Sequence, residues 1–284
     1  MKREDDLMQQ PLTVAYLGPE ATFSHMAAIS LYGRSVSFNP VDAIEDVFNV
    51  VEKEICTMGV VPVENSYEGS VNITSDLFYK YDLKICAETY VRIRHQLLSM
   101  EEEPKDIKRI YSHPMALAQC RSWLKANMHG VPVTEVSSTS QAARIASGEH
   151  GSAAIGNRAL REIYGLRILK EDIEDHPDNI TRFLAVGKRQ AAPMGRDKTS
   201  ILFFLPDRPG ALYKALAVLA EREINMTRIE SRPMKTKNWE YLFLTDIEGH
   251  EQDGKVSEAL KEMEKHCVLL KRLGSYPCGR ELGE

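Results

Sequence analysis

Short apolar runs alternate with amphipathic stretches over most of this sequence, and this alternation constrains the fold more than any other feature. The runs are typical of strands bounded by turn residues, and a helical repeat follows most of them. We therefore predict an open α/β sheet covered by helices on both faces, with ligands bound at the carboxyl ends of the strands. The predicted strands are 13–17, 59–63, 107–111, 131–136 and 153–155, and the predicted helices include 23–32, 43–52, 115–125 and 141–146.

A second periodic region follows residues 189–197, where Pro193 and Gly195 mark a domain boundary. Its elements have the order βαββαβ, which is ferredoxin-like. We therefore predict two domains, at 12–188 and 198–277. The predicted elements of the second domain are strands at 199–205, 226–234, 239–247 and 268–273, with helices at 210–223 and 254–264.

Charge and composition exclude several classes of function. The formal net charge is −5, and neither half of the chain is basic, which argues against a nucleic-acid partner. No apolar stretch approaches the roughly 18 to 20 residues that cross a bilayer, so we expect a cytoplasmic protein without a membrane partner. The five cysteines form no CxxC pair, and no Rossmann fingerprint or P-loop occurs, so we expect no metal and no cofactor.

Polar residues gather where predicted strands give way to helices. Thr22 and Ser24 follow the first strand, and Ser138 and Thr139 follow a later one. Free backbone N–H groups and the helix dipole make such a junction an anion site. Capping of the helix explains the same residues equally well, so both interpretations stay open.

Two further segments combine several polar side chains. Glu64, Asn65 and Ser66 end a buried strand, although Asn and Ser also favour turns for their own hydrogen-bonding reasons. Thr181 and Arg182 begin a strand and are predicted on opposite faces, because side chains alternate along a strand. Together they could offer a hydroxyl donor and a cation to a small dicarboxylate.

The second domain has two candidate ligand segments. Gly210, between the first strand and the first helix, would allow a ligand to approach the backbone closely. The sequence ESRP at 230–233 ends the following strand. Turn and edge-strand roles account for the same Gly and Pro residues.

Taken together, these segments resemble the prephenate dehydratase family in order and spacing, and the second region resembles the ACT regulatory domain that this family carries. The resemblance extends from about Leu12 to Pro277. The dehydratase motifs are AYLGPEATFS (15–24), VPVENSYEGSVNIT (61–74), SHPMALAQC (112–120), SSTS (137–140) and DNITRF (178–183), and the ACT motifs are GALYKAL (210–216), INMTRIESRP (224–233) and LGSYP (273–277).

The resemblance implies a two-subdomain, periplasmic-binding-protein-like catalytic lobe followed by a ferredoxin-like ACT domain. It implies conversion of prephenate to phenylpyruvate with loss of CO2 and water, in phenylalanine biosynthesis, without metal or cofactor. Phenylalanine would bind at an ACT dimer interface and lower activity, in a homo-oligomer that is a dimer or a tetramer. Since the dehydratase pattern begins by Thr13, we expect a single activity without a chorismate mutase domain.

The resemblance also assigns roles to individual residues. Thr181 would donate to the departing ring hydroxyl, and Asn65 and Gln119 would complete the catalytic group. Ala21 and Met115 depart from the usual glycine and glutamine. The implied substrate contacts are Thr22, Ser24, Glu64, Ser66, Ser138, Thr139, Arg182 and Phe183, and the implied effector contacts are Gly210, Ala211, Leu212, Asn225, Glu230, Ser231, Arg232 and Pro233.

The sequence is also compatible with two alternatives. One is a dehydratase that prefers arogenate, which differs from prephenate by an amino group. The other is a non-catalytic amino-acid sensor, since both implied folds also serve as ligand-binding modules. The intact Asn-Ile-Thr-Arg-Phe run argues against a sensor, which would not need Thr181.

Overall fold

A computed structural model describes residues 12–233 and 241–279 and contains three β-sheets with helices packed on them. Within these residues no helix is long and apolar enough to cross a membrane. The strands before residue 190 are β1 (Thr13–Leu17), β2 (Ser37–Val41), β3 (Met58–Asn65), β4 (Gly69–Ser70), β5 (Lys84–Arg92), β6 (Gln96–Ser99), β7 (Arg109–Ser112), β8 (Val133–Glu135), β9 (Ser152–Gly156), β10 (Arg167–Lys170) and β11 (Ile180–Gly187). The helices are α1 (Phe23–Tyr32), α2 (Ile44–Glu52), α3 (Asn72–Lys80), α4 (Pro114–Gln119), α5 (Arg121–Asn127), α6 (Thr139–Ala146) and α7 (Ala159–Tyr164).

These strands form two mixed sheets, so the α/β class is confirmed, whereas the single open sheet predicted from alternation is wrong. The first subdomain has the order β2-β1-β3-β11-β5, with β4 paired to β3. The second subdomain has the order β10-β6-β9-β7-β8. Strand β11 is the last of the eleven, yet it inserts antiparallel between β3 and β5. The chain therefore leaves the first sheet, builds the second and returns.

The two crossings between the subdomains lie side by side. Ile93 N donates to the Asn179 carbonyl at 2.7 Å, and Ile173 N donates to the His95 carbonyl at 2.9 Å. The side chain of Glu174 accepts a hydrogen bond from His95 N at 2.8 Å. These bonds tie the outgoing segment to the returning one, so the start of β11 lies beside the junction of the subdomains.

The helix predicted at 115–125 is interrupted at Cys120 and forms α4 and α5 instead. The reason is a cap from a distant residue, because the Asp175 carboxylate accepts from Ser122 N at 2.8 Å and from Trp123 N at 3.1 Å. An acceptor at this position satisfies N–H groups that a new helix leaves unpaired. Asp175 N also donates to the Gln119 carbonyl at 2.7 Å, which fixes the end of α4.

The C-terminal domain has the predicted order βαββαβ, which confirms the ferredoxin-like arrangement. The elements are β12 (Asp197–Phe204), α8 (Ala211–Glu221), β13 (Met226–Pro233), β14 (Tyr241–Glu248), α9 (Gly254–Glu264) and β15 (Leu269–Pro277). The predicted strand ends at Met234 and at 239–240 lie outside the described residues. Helices α8 and α9 cover one face of the sheet, which has the antiparallel order β13-β14-β12-β15.

The other face of this sheet packs on the first subdomain. Leu202, Leu244 and Leu273 share one buried cluster with Leu184 of β11. At Gly274, a Cβ would lie 2.5 Å from the Ile85 carbonyl oxygen, so only glycine permits this approach of β15 to β5. The C-terminal domain and the first subdomain therefore share a core.

A buried charge cluster lies in this interface, centred on Arg182. Its guanidinium donates to Glu88 Oε2 at 2.8 Å, to Asp246 Oδ2 at 2.5 Å and to Tyr276 Oη at 3.0 Å. Lys198 Nζ pairs with the second Glu88 oxygen at 2.8 Å, which balances the charges. Burial raises the pKa of Tyr276 well above its ordinary value, so its hydroxyl stays neutral and can accept from Arg182.

Removal of one member of this cluster should destabilise the whole interface. For Asp246→Ala we expect a loss of about 3 kcal/mol in unfolding free energy, because Arg182 is left in the core with one carboxylate less. Urea denaturation measures this loss. The matched control is Lys80→Ala, which breaks the exposed Lys80–Glu45 pair and should cost less than about 1 kcal/mol. Equal effects of the two changes would contradict the importance of the buried cluster.

Candidate active site

Two of the predicted catalytic residues lie opposite each other on neighbouring strands. Thr181 near the start of β11 pairs in register with Asn65 at the end of β3. Asn65 Nδ2 donates to Thr181 Oγ1 at 2.9 Å and to Asn179 Oδ1 at 2.7 Å. Only 8 % of Thr181 and of Asn65 is exposed. Both polar groups are therefore held in a largely buried place where hydrogen bonds are strong.

The orientation of the Asn65 amide is fixed by its own loop. Asn65 Oδ1 accepts from Tyr67 N and from Glu68 N, each at 2.9 Å. A flipped amide would direct its NH2 group at these two donors, so Nδ2 must face Thr181. Thr181 Oγ1 is then an acceptor from Asn65, and its own proton is left for a ligand. No described residue accepts that proton.

Ser66 joins the same two strands through the backbone. Its hydroxyl accepts from Ile180 N at 3.0 Å, and Ser66 N donates to the Ile180 carbonyl at 2.9 Å. These bonds lock the residue before Thr181 to the residue after Asn65. Ser66 itself is exposed, so its second lone pair can still receive a hydrogen bond.

Gln119, the third predicted catalytic residue, reaches the same loop from the second subdomain. It ends α4, and its Nε2 donates to Glu68 Oε1 at 3.0 Å. Its Oε1 lies 2.8 Å from Nε2 of the buried His95. A continuous chain of hydrogen bonds thus runs from Thr181 through Asn65, Glu68 and Gln119 to His95, across the junction of the two subdomains.

Burial lowers the pKa of His95 below its ordinary value, although the hydrogen bond to Gln119 and the nearby Glu174 carboxylate act in the opposite direction. The imidazole is therefore neutral at pH 7. Apart from Glu68, the side chains in this chain of hydrogen bonds carry no charge. Such an arrangement can orient a polar ligand and donate hydrogen bonds to a developing negative charge. Among the described residues, no three His, Cys, Asp or Glu side chains are arranged to hold a metal ion.

Three residues predicted as substrate contacts lie outside the chain of hydrogen bonds from Thr181 to His95. Arg182 lies on the opposite face of β11, where its guanidinium is held by Glu88 and the C-terminal domain. Glu64 likewise pairs with Arg228 of β13 at 3.1 Å. The Phe183 side chain packs in a buried cluster with Tyr16 of the first strand. Strand alternation explains the first two, because Thr181 and Asn65 use the other face of each strand.

The predicted contacts at the helix starts serve mainly as caps. Thr22 Oγ1 accepts from His25 N and donates to the Leu17 carbonyl at 3.0 Å, and Ser138 Oγ accepts from Gln141 N at 3.0 Å. Ser24 is buried in the first turn of α1, and Thr139 begins α6. These bonds favour capping over anion binding for Thr22 and Ser138.

The loop before α1 nevertheless lies against the second subdomain. Ser140 Oγ donates to the Glu20 carbonyl at 2.7 Å, and Asn157 Nδ2 donates to the Ala21 carbonyl at 2.5 Å. Ala21 has φ +64, a conformation that favours the glycine usual in the resembled family. Phe23 contacts the His95 ring edge-on at 5.6 Å, which brings this loop close to the hydrogen-bonded chain.

The predicted effector residues fall on two faces of the C-terminal domain. Glu230 accepts from Arg228 at 2.6 Å, and Arg232 pairs with Asp76 of the first subdomain at 3.1 Å. These two side chains are therefore committed to contacts within the chain. Ala211 is buried in the first turn of α8, whereas the remaining predicted positions are exposed: Gly210, Leu212, Asn225, Ser231 and Pro233.

Three members of this site are absent from the sequence-based assignments: Glu68, Asn179 and His95. Glu68 lies within the quoted motif at 61–74, and Asn179 lies in the motif at 178–183, so the motifs themselves pointed to both places. No local signal marks His95, because its importance comes from Gln119, which is distant in sequence. Its position at a crossing between sheets becomes visible only in the fold.

Family models match most of the chain. Residues 14–191 match the prephenate dehydratase model, and residues 199–265 match the ACT domain model. A bifunctional chorismate mutase/prephenate dehydratase of Aquifex aeolicus is 48% identical over 95% of this chain and 75% of its own length. A prephenate dehydratase of Methanocaldococcus jannaschii is 40% identical over 93% of this chain and 97% of its own length.

A solved structure gives the same result for the fold. Prephenate dehydratase from Arthrobacter aurescens, in complex with L-Phe, superposes with a TM-score of 0.85 at 34% identity. The match covers 94% of this chain and 90% of that one. The likeness therefore includes the C-terminal domain as well as both subdomains. The chain belongs to the prephenate dehydratase family and carries a C-terminal ACT domain.

Proposed function

We propose that this protein converts prephenate to phenylpyruvate, CO2 and water, as a step toward phenylalanine, and that L-phenylalanine bound to the ACT domain lowers this activity. The observation that carries the proposal is the Thr181 hydroxyl, which accepts from Asn65 and so keeps its proton for a ligand. Membership of the dehydratase family supports the same reaction. We propose domain limits of 12–188 for the catalytic part and 198–277 for the ACT part.

The reaction requires little chemistry from the protein. The bond between the ring and its carboxylate breaks, and the released electron pair enters the ring as CO2 departs. The ring C–O bond breaks in the same process, the leaving hydroxide takes up a proton from the solvent to become water, and the ring becomes aromatic. Because aromatisation makes the reaction strongly downhill, the site mainly has to orient the substrate and assist the leaving oxygen.

The proposed source of that assistance is Thr181. A threonine hydroxyl is a weak acid whose pKa lies far above neutrality, so we assign it the role of a hydrogen-bond donor that polarises the leaving hydroxyl. The hydrogen bond from Asn65 occupies a lone pair of the Thr181 oxygen. The Thr181 hydroxyl proton therefore points away from Asn65 and is available to the substrate. The Gln119 NH2 group, on the second subdomain, donates to Glu68 in the structure. When the substrate binds, a substrate oxygen takes the place of Glu68 as the acceptor.

The ACT domain supports regulation and assembly. We propose that phenylalanine binds near Gly210 and Ser231, both exposed, and that two copies of the chain form a dimer there, or a dimer of dimers. Strand β13 is an edge strand, and Ile229 and Tyr213 expose 41% and 76% of their surface. Exposed apolar side chains beside an unpaired strand edge favour association. All five cysteines are free, which supports our placement of the protein in the cytoplasm.

The direct test is phenylpyruvate formation from prephenate by the purified chain, with and without phenylalanine, and with arogenate run in parallel. We expect turnover of prephenate that phenylalanine suppresses. Turnover of arogenate alone would replace the substrate and keep the site. Absence of turnover on either substrate, with phenylalanine still bound, would overturn the enzymatic proposal in favour of an amino-acid sensor.

Removal of the Thr181 hydroxyl should abolish most of the activity. For Thr181→Val we expect kcat to fall at least about 100-fold, because the leaving oxygen loses its donor. The matched variant Thr181→Ser keeps a hydroxyl that can accept the hydrogen bond from Asn65, and it should retain most of the turnover. Stopped assays of phenylpyruvate formation provide the measurement. Thermal denaturation checks that the two variants have the same melting temperature. Near-normal turnover of Thr181→Val would remove Thr181 from the mechanism.

Reversing the direction of the hydrogen bond between Asn65 and Thr181 should lower activity as removal of the Thr181 hydroxyl does, although Thr181 itself is unchanged. In Asn65→Asp the carboxylate still accepts from Tyr67 and Glu68, but it also accepts the Thr181 proton, which is then lost to the substrate. We expect kcat/KM to fall about 100-fold. Asn127→Asp, the same change on the exposed end of α5, is the control. Activity within twofold of wild type for Asn65→Asp would refute this role.

Phenylalanine control can be separated from catalysis at Gly210. Its φ of +79 is unfavourable for other residues, and an added Cβ would project into open space where the effector would approach. For Gly210→Ala we expect about tenfold more phenylalanine to be needed for half-inhibition, with basal turnover retained. Gly254→Ala, at the start of α9 in the same domain, should leave inhibition unchanged. Unchanged inhibition in Gly210→Ala would place the effector elsewhere.

A further inference from the structure

His95 lies at the centre of the junction between the two subdomains. It occupies the outgoing crossing between β5 and β6, and only 1% of its surface is exposed. The backbone of His95 is fixed on both sides, because its carbonyl accepts from Ile173 N and its N–H donates to Glu174 Oε2. Phe23 of α1 packs against the ring at 5.6 Å. The imidazole therefore has little freedom to move.

The hydrogen bonds of Gln119 determine which ring nitrogen carries the proton. Glu68 is a carboxylate and can only accept, so the group of Gln119 that faces it at 3.0 Å must be the NH2. The Gln119 oxygen then faces His95 Nε2 at 2.8 Å. Since this oxygen can only accept, Nε2 must be the protonated nitrogen. The other nitrogen, Nδ1, is buried and has no hydrogen-bond partner among the described residues.

We propose that His95 is a positioning residue of the dehydratase site, which acts by holding the Gln119 side-chain oxygen so that the Gln119 NH2 group faces the substrate. This inference rests on the proposed function, because the group positioned is one that we assign to the substrate. A glutamine side chain has three rotatable bonds and two nearly isosteric ends. Without a fixed donor on its oxygen, the amide can turn over and present an acceptor to an anionic substrate.

A buried partner is needed because the other partner of the Gln119 side chain, Glu68, is the one that the substrate replaces. Glu68 holds the Gln119 NH2 group when the site is empty, and its own backbone N–H is fixed by Asn65. A substrate oxygen that takes the place of Glu68 leaves the His95 bond as the side-chain contact that still orients the amide. His95 itself does not contact the substrate, so its effect passes through Gln119.

A double-mutant cycle on prephenate turnover tests this role. In His95→Asn the amide nitrogen falls short of the Nε2 position, and we expect kcat/KM to drop about tenfold. In the Gln119→Ala background the same change should alter kcat/KM by less than about twofold, because the residue that His95 positions is gone. An equal loss in both backgrounds would overturn the proposal. A merely structural role would give that equal loss.

A conservative variant and a measurement on the unmodified protein guard against misfolding. In His95→Gln an amide N–H can reach the Nε2 position, and kcat/KM should stay within about threefold of wild type. The exposed His150→Asn serves as the control. Nitrogen NMR of histidine-labelled wild-type protein should show His95 neutral with its proton on Nε2, whereas a proton on Nδ1 would overturn the proposal. Absence of turnover by wild type would instead refute the proposed function and leave this tautomer test intact.

Discussion

The bond from the Asn65 amide to the Thr181 hydroxyl is the interaction on which the rest of this site depends. Asn65 has two donors and one acceptor oxygen, and all are used: the donors on Asn179 and Thr181, the oxygen on the N–H groups of its own loop. This full use leaves one orientation for the amide and therefore one role for the Thr181 oxygen. A weakly acidic hydroxyl thereby becomes a directed donor without any charged neighbour.

Strand β11 connects this site to the regulatory domain. Thr181 faces the junction of the subdomains, and Arg182, the next residue, faces the opposite way into the buried cluster with Asp246. Any movement of the ACT sheet relative to the first subdomain must therefore either carry β11 with it or break buried ionic contacts, which is costly. Arg228 and Arg232 of β13 add contacts to Glu64 and Asp76, at the two ends of the segment that contains Asn65. The residue before Asn65, Glu64, and the residue after Thr181, Arg182, thus each have a partner in the ACT domain.

Local patterns predicted the elements well wherever neighbours in sequence decide the structure. Helices α1 and α9 begin and end at the predicted residues, because an N-cap or an apolar stripe within the helix defines them. The break at Cys120 was not predictable, since the capping carboxylate of Asp175 is supplied by the returning crossing. Strand alternation already placed Arg182 opposite Thr181. Its guanidinium is held by Glu88 and by Asp246 of the C-terminal domain, and no local pattern reveals these distant partners.

Neutron diffraction from crystals of the perdeuterated protein locates the hydrogen atoms of the site and is the most direct test of the Asn65–Thr181 hydrogen bond. Deuterium on Asn65 Nδ2 should point at Asn179 Oδ1 and Thr181 Oγ1, and the Thr181 deuterium should point away from Asn65 toward the junction of the subdomains. A Thr181 deuterium directed at the Asn65 side chain would contradict the account, because the hydroxyl would then have no proton to offer the substrate.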